Sequence, residues 1–419
     1  ATGHVHPWFL PDGGHFLFYA APLTQSGESG AIYAGSLDDA EMTLVGDADS
    51  RALYADGHIF FVRQGTLLAQ PFDPGRRATT GDAVVVATDI SPTGNGAAMF
   101  SVSLTGVLAL RHDGAATTQL TIVDRGGRLL QTVGDRSIQS AVELSPDGGR
   151  VVTSVFDTSK RNHDLWIHDL ARSVHTRLTF DPGDDWAATW SPDGTRLLFS
   201  AARPTRFDLY EKPASGSGGE QRIVGGSTNS YAGDWSPDGR YLLYHNGSAG
   251  SRSGNDIWIL PTSTDMSRPF VQTPFNETKG NFSADGRWVA YQSSESGREE
   301  VYVVPFPGPG GKWQVSTTGG ASPRWSHDDK ELFFLAGGGT TLMSAAVNGS
   351  GNTFEVGMVQ RLFDARLRVD RVAQSSTGYT YDVFPDGQRF LIDAIADAQP
   401  TEAPIRVITN WTSLLQGTK

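Results

Sequence analysis

Cysteine is absent from the 419 residues. Its absence removes disulfides, thiolate metal sites and thiol nucleophiles, and it fits a protein made for an oxidising compartment. Long apolar runs are also missing. Nothing approaches the ~20 consecutive residues of a membrane-spanning helix, so no membrane span is expected in this chain. No signal-peptide pattern opens the sequence, and an export signal or tether is expected to lie outside it. Basic residues are the minority, 34 against 46 acidic, for a formal net charge of −12. An acidic surface repels phosphate backbones, which excludes generic nucleic-acid binding. No stretch of ten or more residues shows 3.6-residue apolar periodicity, so helices are not expected to build the fold.

What is present is glycine (49) and proline (22), spread along the chain, with 38% hydrophobic and 10% aromatic residues. That composition supplies a large core and many turns, the mixture that short strands require. The turns recur. LSPDGGRVV (144–152), WSPDGTRLLF (190–199), WSPDGRYLLY (235–244) and FSADGRWVAY (282–291) are copies of one unit. Weaker copies begin at 9, 53, 325 and 383, and a degenerate one spans 103–110. Aligned on the turn acid or its equivalent, the units fall at 12, 56, 105, 147, 193, 238, 285, 328 and 386. A period near 45 is that of a four-stranded propeller blade. The fold class expected is therefore all-β, a propeller built from nine such repeats.

Within a unit, Trp186–Trp190 reads as a first strand and Ser191-Pro192-Asp193-Gly194 as a tight turn. Arg196–Ser200, Asp208–Glu211 and Gln221–Val224 read as the other three strands. An acid opens the third strand in four copies, at Asp164, Asp208, Asp256 and Glu300, and reads as framework. The last unit offers strands at 379–384, 388–394 and 404–411. One continuous array over 1–419 is the expected organisation. The alternative is three blades of one ring over 1–126 and a six-bladed ring over 127–419, with Arg128–Val133 donating its closing strand.

These units resemble the PD40 (WD40-like) repeats of TolB-type propellers. Longer strings, such as HPWFLPDG (6–13), RLTFDPGDDWAATWSPDGTRLLF (177–199) and VYVVPFPGPGGKWQVSTTGG (301–320), resemble propeller regions that follow the kinase domain in bacterial receptor-type serine/threonine kinases. The kinase motifs themselves are absent: no Gly-rich nucleotide loop, HRD-type loop or DFG segment occurs. The resemblance implies a periplasmic or extracellular binding or sensory module with a protein or peptide partner, a cell-wall glycan being the other candidate ligand. It implies no phosphoryl transfer and no cofactor.

Enzymes also use such propellers, and a glycan-active enzyme of the polysaccharide-lyase kind is the rival expectation. The sequence offers little for it. No HExxH motif is present among ten histidines, and no GxSxG elbow occurs, Asn246-Gly247-Ser248-Ala249-Gly250 coming nearest. The loops Asp181–Asp185 and Asn348–Asn352 carry oxygen ligands without matching a calcium loop. The repeated turn acids read as turn framework. In a propeller the first strand of each blade lines the channel. The residues four ahead of the Trp equivalent, with their neighbours, then give the candidate mouth: Asp185, Trp186, Tyr231, Glu277, Lys279 and Arg324.

Overall fold

The structure is a computed structural model. It describes residues 2–22, 30–88, 90, 96–111, 117–160, 162–203, 206–247, 254–264, 266–351, 353–367, 378–395 and 405–416. The chain is all-β. Its one helical element among the described residues is a 3-10 turn at Trp411–Gln416, and no helix is long and apolar enough to cross a membrane. Contacts divide it into two compact units, residues 1–116 with 398–419, and residues 117–397.

The first unit holds three antiparallel sheets, and the last of them joins Phe100–Val102 and Val107–Leu110 to Arg406–Thr409. The strand expected at 404–411 therefore leaves the last repeat and pairs with Val107–Leu110. The reason is hydrophobic: Trp411, fully buried, sits with its ring 4.7 Å from Phe60 in the core of this unit.

The second unit holds six four-stranded antiparallel sheets. The repeat around Asp193 gives strands Asp185–Trp190, Arg196–Ala202, Phe207–Pro213 and Gln221–Val224, close to the expected bounds. The first strands follow one another in contact: Gln139–Leu144, Asp185–Trp190, Asn229–Trp235, Glu277–Phe282, Ala321–Trp325, Tyr381–Val383, and back to Gln139–Leu144. One sheet is composite. Tyr381–Val383 and Arg389–Ile395 pair with Thr118–Asp124 and Leu129–Ser137 from the other end of the unit.

The repeat residues explain this packing. Trp190, Trp235, Phe282 and Trp325 each fill the space between one sheet and the sheet before it, against partners such as Leu165, Leu209, Ile257 and Val301. The arginine that follows the preceding turn covers the ring: Arg150 lies 4.5 Å from the Trp190 centroid and Arg196 4.9 Å from that of Trp235. Turn acids bind their own turns. Asp193 accepts from Ser191 Oγ (2.6 Å) and Thr195 N (3.0 Å), which holds its carboxyl down at about 2. Gly194 and Gly239 adopt φ of 65° and 70°, the left-handed values the turn needs. The third-strand acids reach the fourth strand or the loop after it: Asp164 pairs with Arg177 (2.6 Å) and Asp208 with Arg222 (2.8 Å).

Candidate functional site

A bulge recurs in the first strands. Register shifts fall at Ser140/Glu143, Trp186/Thr189, Ala232/Asp234, Thr278/Asn281 and Ala321/Arg324. The bulged residues Ala141, Ala187, Lys279 and Ser322 all have positive φ. An extra residue breaks the two-residue alternation of a strand. Residues three apart, Trp186 and Thr189 for example, then come to face the same side. This builds two polar layers along the ring of first strands.

The inner layer consists of the residues directly ahead of the Trp equivalents: Glu143, Thr189, Asp234, Asn281, Arg324 and Asp382. Arg324 stands 3.1 Å from Glu143 and 3.3 Å from Asp382, and its guanidinium lies 3.6 Å from the Tyr379 centroid. The carboxylates also cap backbone of the following sheet. Glu143 accepts Trp190 N (3.1 Å), Asp234 accepts Phe282 N (2.8 Å), and Asp382 accepts Leu144 N (2.7 Å). Thr189 Oγ1 donates to Glu143 (2.6 Å) and Asn281 Nδ2 to Asp234 (2.8 Å). Burial raises the Glu143 and Asp382 carboxyls, with Arg324 opposing, and lifts Asp234 to about 7. Burial works against the Arg324 charge, but Asp382 and Glu143 outweigh it and hold the guanidinium protonated. This layer is closed on itself.

The outer layer meets the inner one at a cavity of about 10 Å³ whose lining includes Ala141, Glu143, Ala187, His245, Lys279 and Tyr379. That is room for one water-sized group. Both ring nitrogens of His245, on its lining, are buried with no hydrogen-bond partner, as are Trp186 Nε1, beside Gly378, and Ser140 Oγ in the first strand. Burial pulls His245 down to about 3, with Lys279 adding to the effect. Burial pulls Lys279 down to about 7, Arg324 contributing and Glu299 opposing. The Lys279 ammonium donates to Ser322 Oγ at 2.7 Å and lies 5.5 Å from the centroid of the Tyr379 ring.

The six residues picked from the sequence separate into three groups. Trp186 and Tyr231 are half-buried at the outer layer. Trp186 packs on His163 at 4.2 Å, and Tyr231 stacks on His245 at 5.2 Å. Lys279 joins them, whereas Arg324 lies in the inner layer. Asp185 and Glu277 turn into their sheets and are fully buried. Asp185 binds Arg203 at 2.7 Å, with its carboxyl raised to about 7 by burial against that partner's pull. Glu277 accepts from Thr273 Oγ1 (2.7 Å) and Ser293 Oγ (2.9 Å).

In the loop ahead of Trp186, Asp181 faces Arg203 at 3.3 Å and Asp184 binds His163 at 2.9 Å, so protein groups already use these oxygens. Among the described residues no group of three or more His, Asp or Glu side chains could hold a metal. His112, Ser248 and Asn352 lie outside the described residues. Sequence reasoning missed Glu143, Asp234 and Asp382. The signal was available: the position before the Trp equivalent is polar in all six copies of a strand that is otherwise largely apolar.

Residues 117–254 match the model of a repeat family described as the TolB beta propeller domain, PD40. Among solved structures, a putative TolB from Agrobacterium tumefaciens aligns with a TM-score of 0.51 and 17% identity, over 66% of this chain and 97% of that one. TolB from Acinetobacter baumannii aligns at 0.46 and 14% identity, over 85% and 80%. A chain from a study of two prolyl endopeptidases aligns at 0.41 and 12% identity, over 88% of this chain and 51% of that one. The first of these likenesses shows the fold. Residues 117–254 thus match the TolB beta propeller repeat, PD40, and the all-β fold is similar to that of the putative TolB over 66% of this chain.

Proposed function

We propose that this chain is a non-catalytic binding module that works outside the cytoplasm as a sensor, scaffold or accessory subunit. Its partner is a protein, peptide or cell-wall fragment docking at the outer layer of the 117–397 ring. One observation carries this reading. The outer layer leaves buried polar atoms unmatched beside two half-buried aromatics, while the inner layer is closed by Arg324. Buried polar atoms are ordinarily paired, so an unmatched set at a ring mouth favours a ligand that completes it. Aromatic anchors that can be desolvated carry most of the energy in such contacts.

The test probes random-peptide and glycan arrays with the wild-type protein and with Trp186→Ala. Ligands should lose about 2 kcal/mol or more of affinity in the variant, with melting little changed. Ligands held equally by both proteins would remove the mouth from the account, as would glycan turnover by the wild type.

A further inference from the structure

We propose that the outer-layer cavity is a carboxylate site, and that Lys279 receives the C-terminal or side-chain carboxylate of a bound peptide. The inference rests on the mouth being the binding surface and names the group it recognises.

The ammonium of Lys279 is 3% exposed as a residue and lies within 4.0 Å of no carboxylate among the described ion pairs. A buried cation with a single hydroxyl partner carries a desolvation cost that an incoming anion would offset. The neighbouring orphans point to the same chemistry. Trp186 Nε1 can only donate, and it lacks an acceptor. His245, 2% exposed, lines the cavity with neither ring nitrogen engaged. With the Lys279 ammonium they call for an acceptor, and an anionic one meets the charge as well as the hydrogen bonds. A cation or an apolar side chain would leave them unmet.

Size agrees. The cavity admits one water-sized group, which suits a carboxylate oxygen entering from the mouth while the rest of the ligand stays against Trp186 and Tyr231. Glu299, whose charge acts on Lys279, and Glu143, which lines the cavity, would repel an anion. The Glu143 oxygens already face Arg324, Thr189 Oγ1 and Trp190 N. Because burial has drawn Lys279 down to about 7, an arriving carboxylate should pull a proton onto it.

The experiment is calorimetry at pH 7.5 with three probes: N-acetyl tripeptides with a free C-terminus, the same tripeptides as amides, and amides carrying an internal Glu. Free acids or Glu-containing peptides should bind at least tenfold tighter than plain amides. Proton uptake should appear on comparing buffers of different ionisation enthalpy. Lys279→Met should erase both the preference and the proton uptake. Which acid probe binds separates a terminal from a side-chain carboxylate. Equal binding of acids and amides, lost together in Trp186→Ala, would overturn the carboxylate site and leave the mouth standing. The same holds if no peptide binds while array ligands still depend on Trp186. If sodium chloride alone reproduces the heat and proton uptake, the site is a simple halide site and the peptide assignment falls. The acid–amide comparison needs no variant, so a misfolded Lys279→Met protein leaves the test intact.

Discussion

Two layers about one bulge apart meet the same problem in opposite ways. In the inner layer Glu143 and Asp382 share Arg324 while Asn281 holds Asp234, and each of the three carboxylates also caps a backbone amide of the next sheet. In the outer layer a buried ammonium has one hydroxyl acceptor and no paired carboxylate, and Trp186 Nε1 has no acceptor. Burial is comparable, for Arg324 is 6% exposed and Lys279 3%. Burial alone therefore does not mark a site. What separates the two cations is whether paired carboxylates are already inside the protein.

The sharpest way to break this contrast is to remove the two cations in turn, starting with the paired one. Arg324→Met leaves Glu143, Asp234 and Asp382 buried together without a cation, and should lower unfolding stability by about 3–5 kcal/mol. Urea denaturation reads this directly. A loss below about 1 kcal/mol would mean that the inner layer is not the closed network described.

Proton linkage separates the layers by sign. His245 is near 6.5 when unfolded and about 3 when folded. Its contribution is intact above pH 6.5 and drains away as pH falls towards the folded value. Asp234 rises from 3.8 to about 7 on folding. Its contribution is full below pH 3.8 and is lost as pH rises through 7. Acid should therefore weaken the outer layer and relieve the inner one. His245→Leu should recover about 2 kcal/mol of the stability that the wild type loses between pH 7 and 4.5. Asp234→Asn should flatten the decline between pH 5 and 8. Urea midpoints across pH check both signs, and parallel curves for the two variants would contradict them.

The turns provide a reference outside both layers. A Cβ added at Gly239 meets nothing within 4 Å, so any cost of Gly239→Val comes from its φ of 70°. Roughly 1–2 kcal/mol should be lost, with ligand affinity unchanged. The smallest effect is expected at the unpaired cation. Lys279→Met sheds a desolvation cost and a single hydroxyl bond, so melting should move by no more than the equivalent of about 1 kcal/mol while binding is lost. A drop as large as that of Arg324→Met would erase the distinction between the layers.

Much of this was legible in the residues. The W-S-P-D-G strings located the turns, and Trp190 and Trp235 fill the gaps between sheets that their recurrence implied. The acids opening the third strands proved to be framework. The mouth was legible only in part. Counting four residues back from each Trp finds Trp186 and Tyr231. Adding sequence neighbours brings in Asp185 and Glu277, which alternate to the other side of the strand. The bulge shifts this parity, and its left-handed residues are Ala, Lys and Ser, types that do not announce positive φ. Glu143, Arg324 and Asp382 meet only because the ring closes, and closure depends on strand pairing across most of the unit, which local patterning does not record.

That closure has a consequence in time. The hydroxyl of Thr121 donates to the carbonyl of Ile392, a partner 271 residues away in sequence. At ~5–20 residues per second, a ribosome needs about 15–55 s to make the stretch between them. Through that interval Thr118–Asp124 has been synthesised and its β-partner Arg389–Ile395 has not. Its edge stays open to other chains. The interval falls within every round of synthesis, so the risk of mispairing for this protein should rise as elongation slows and as ribosomes crowd its message more densely.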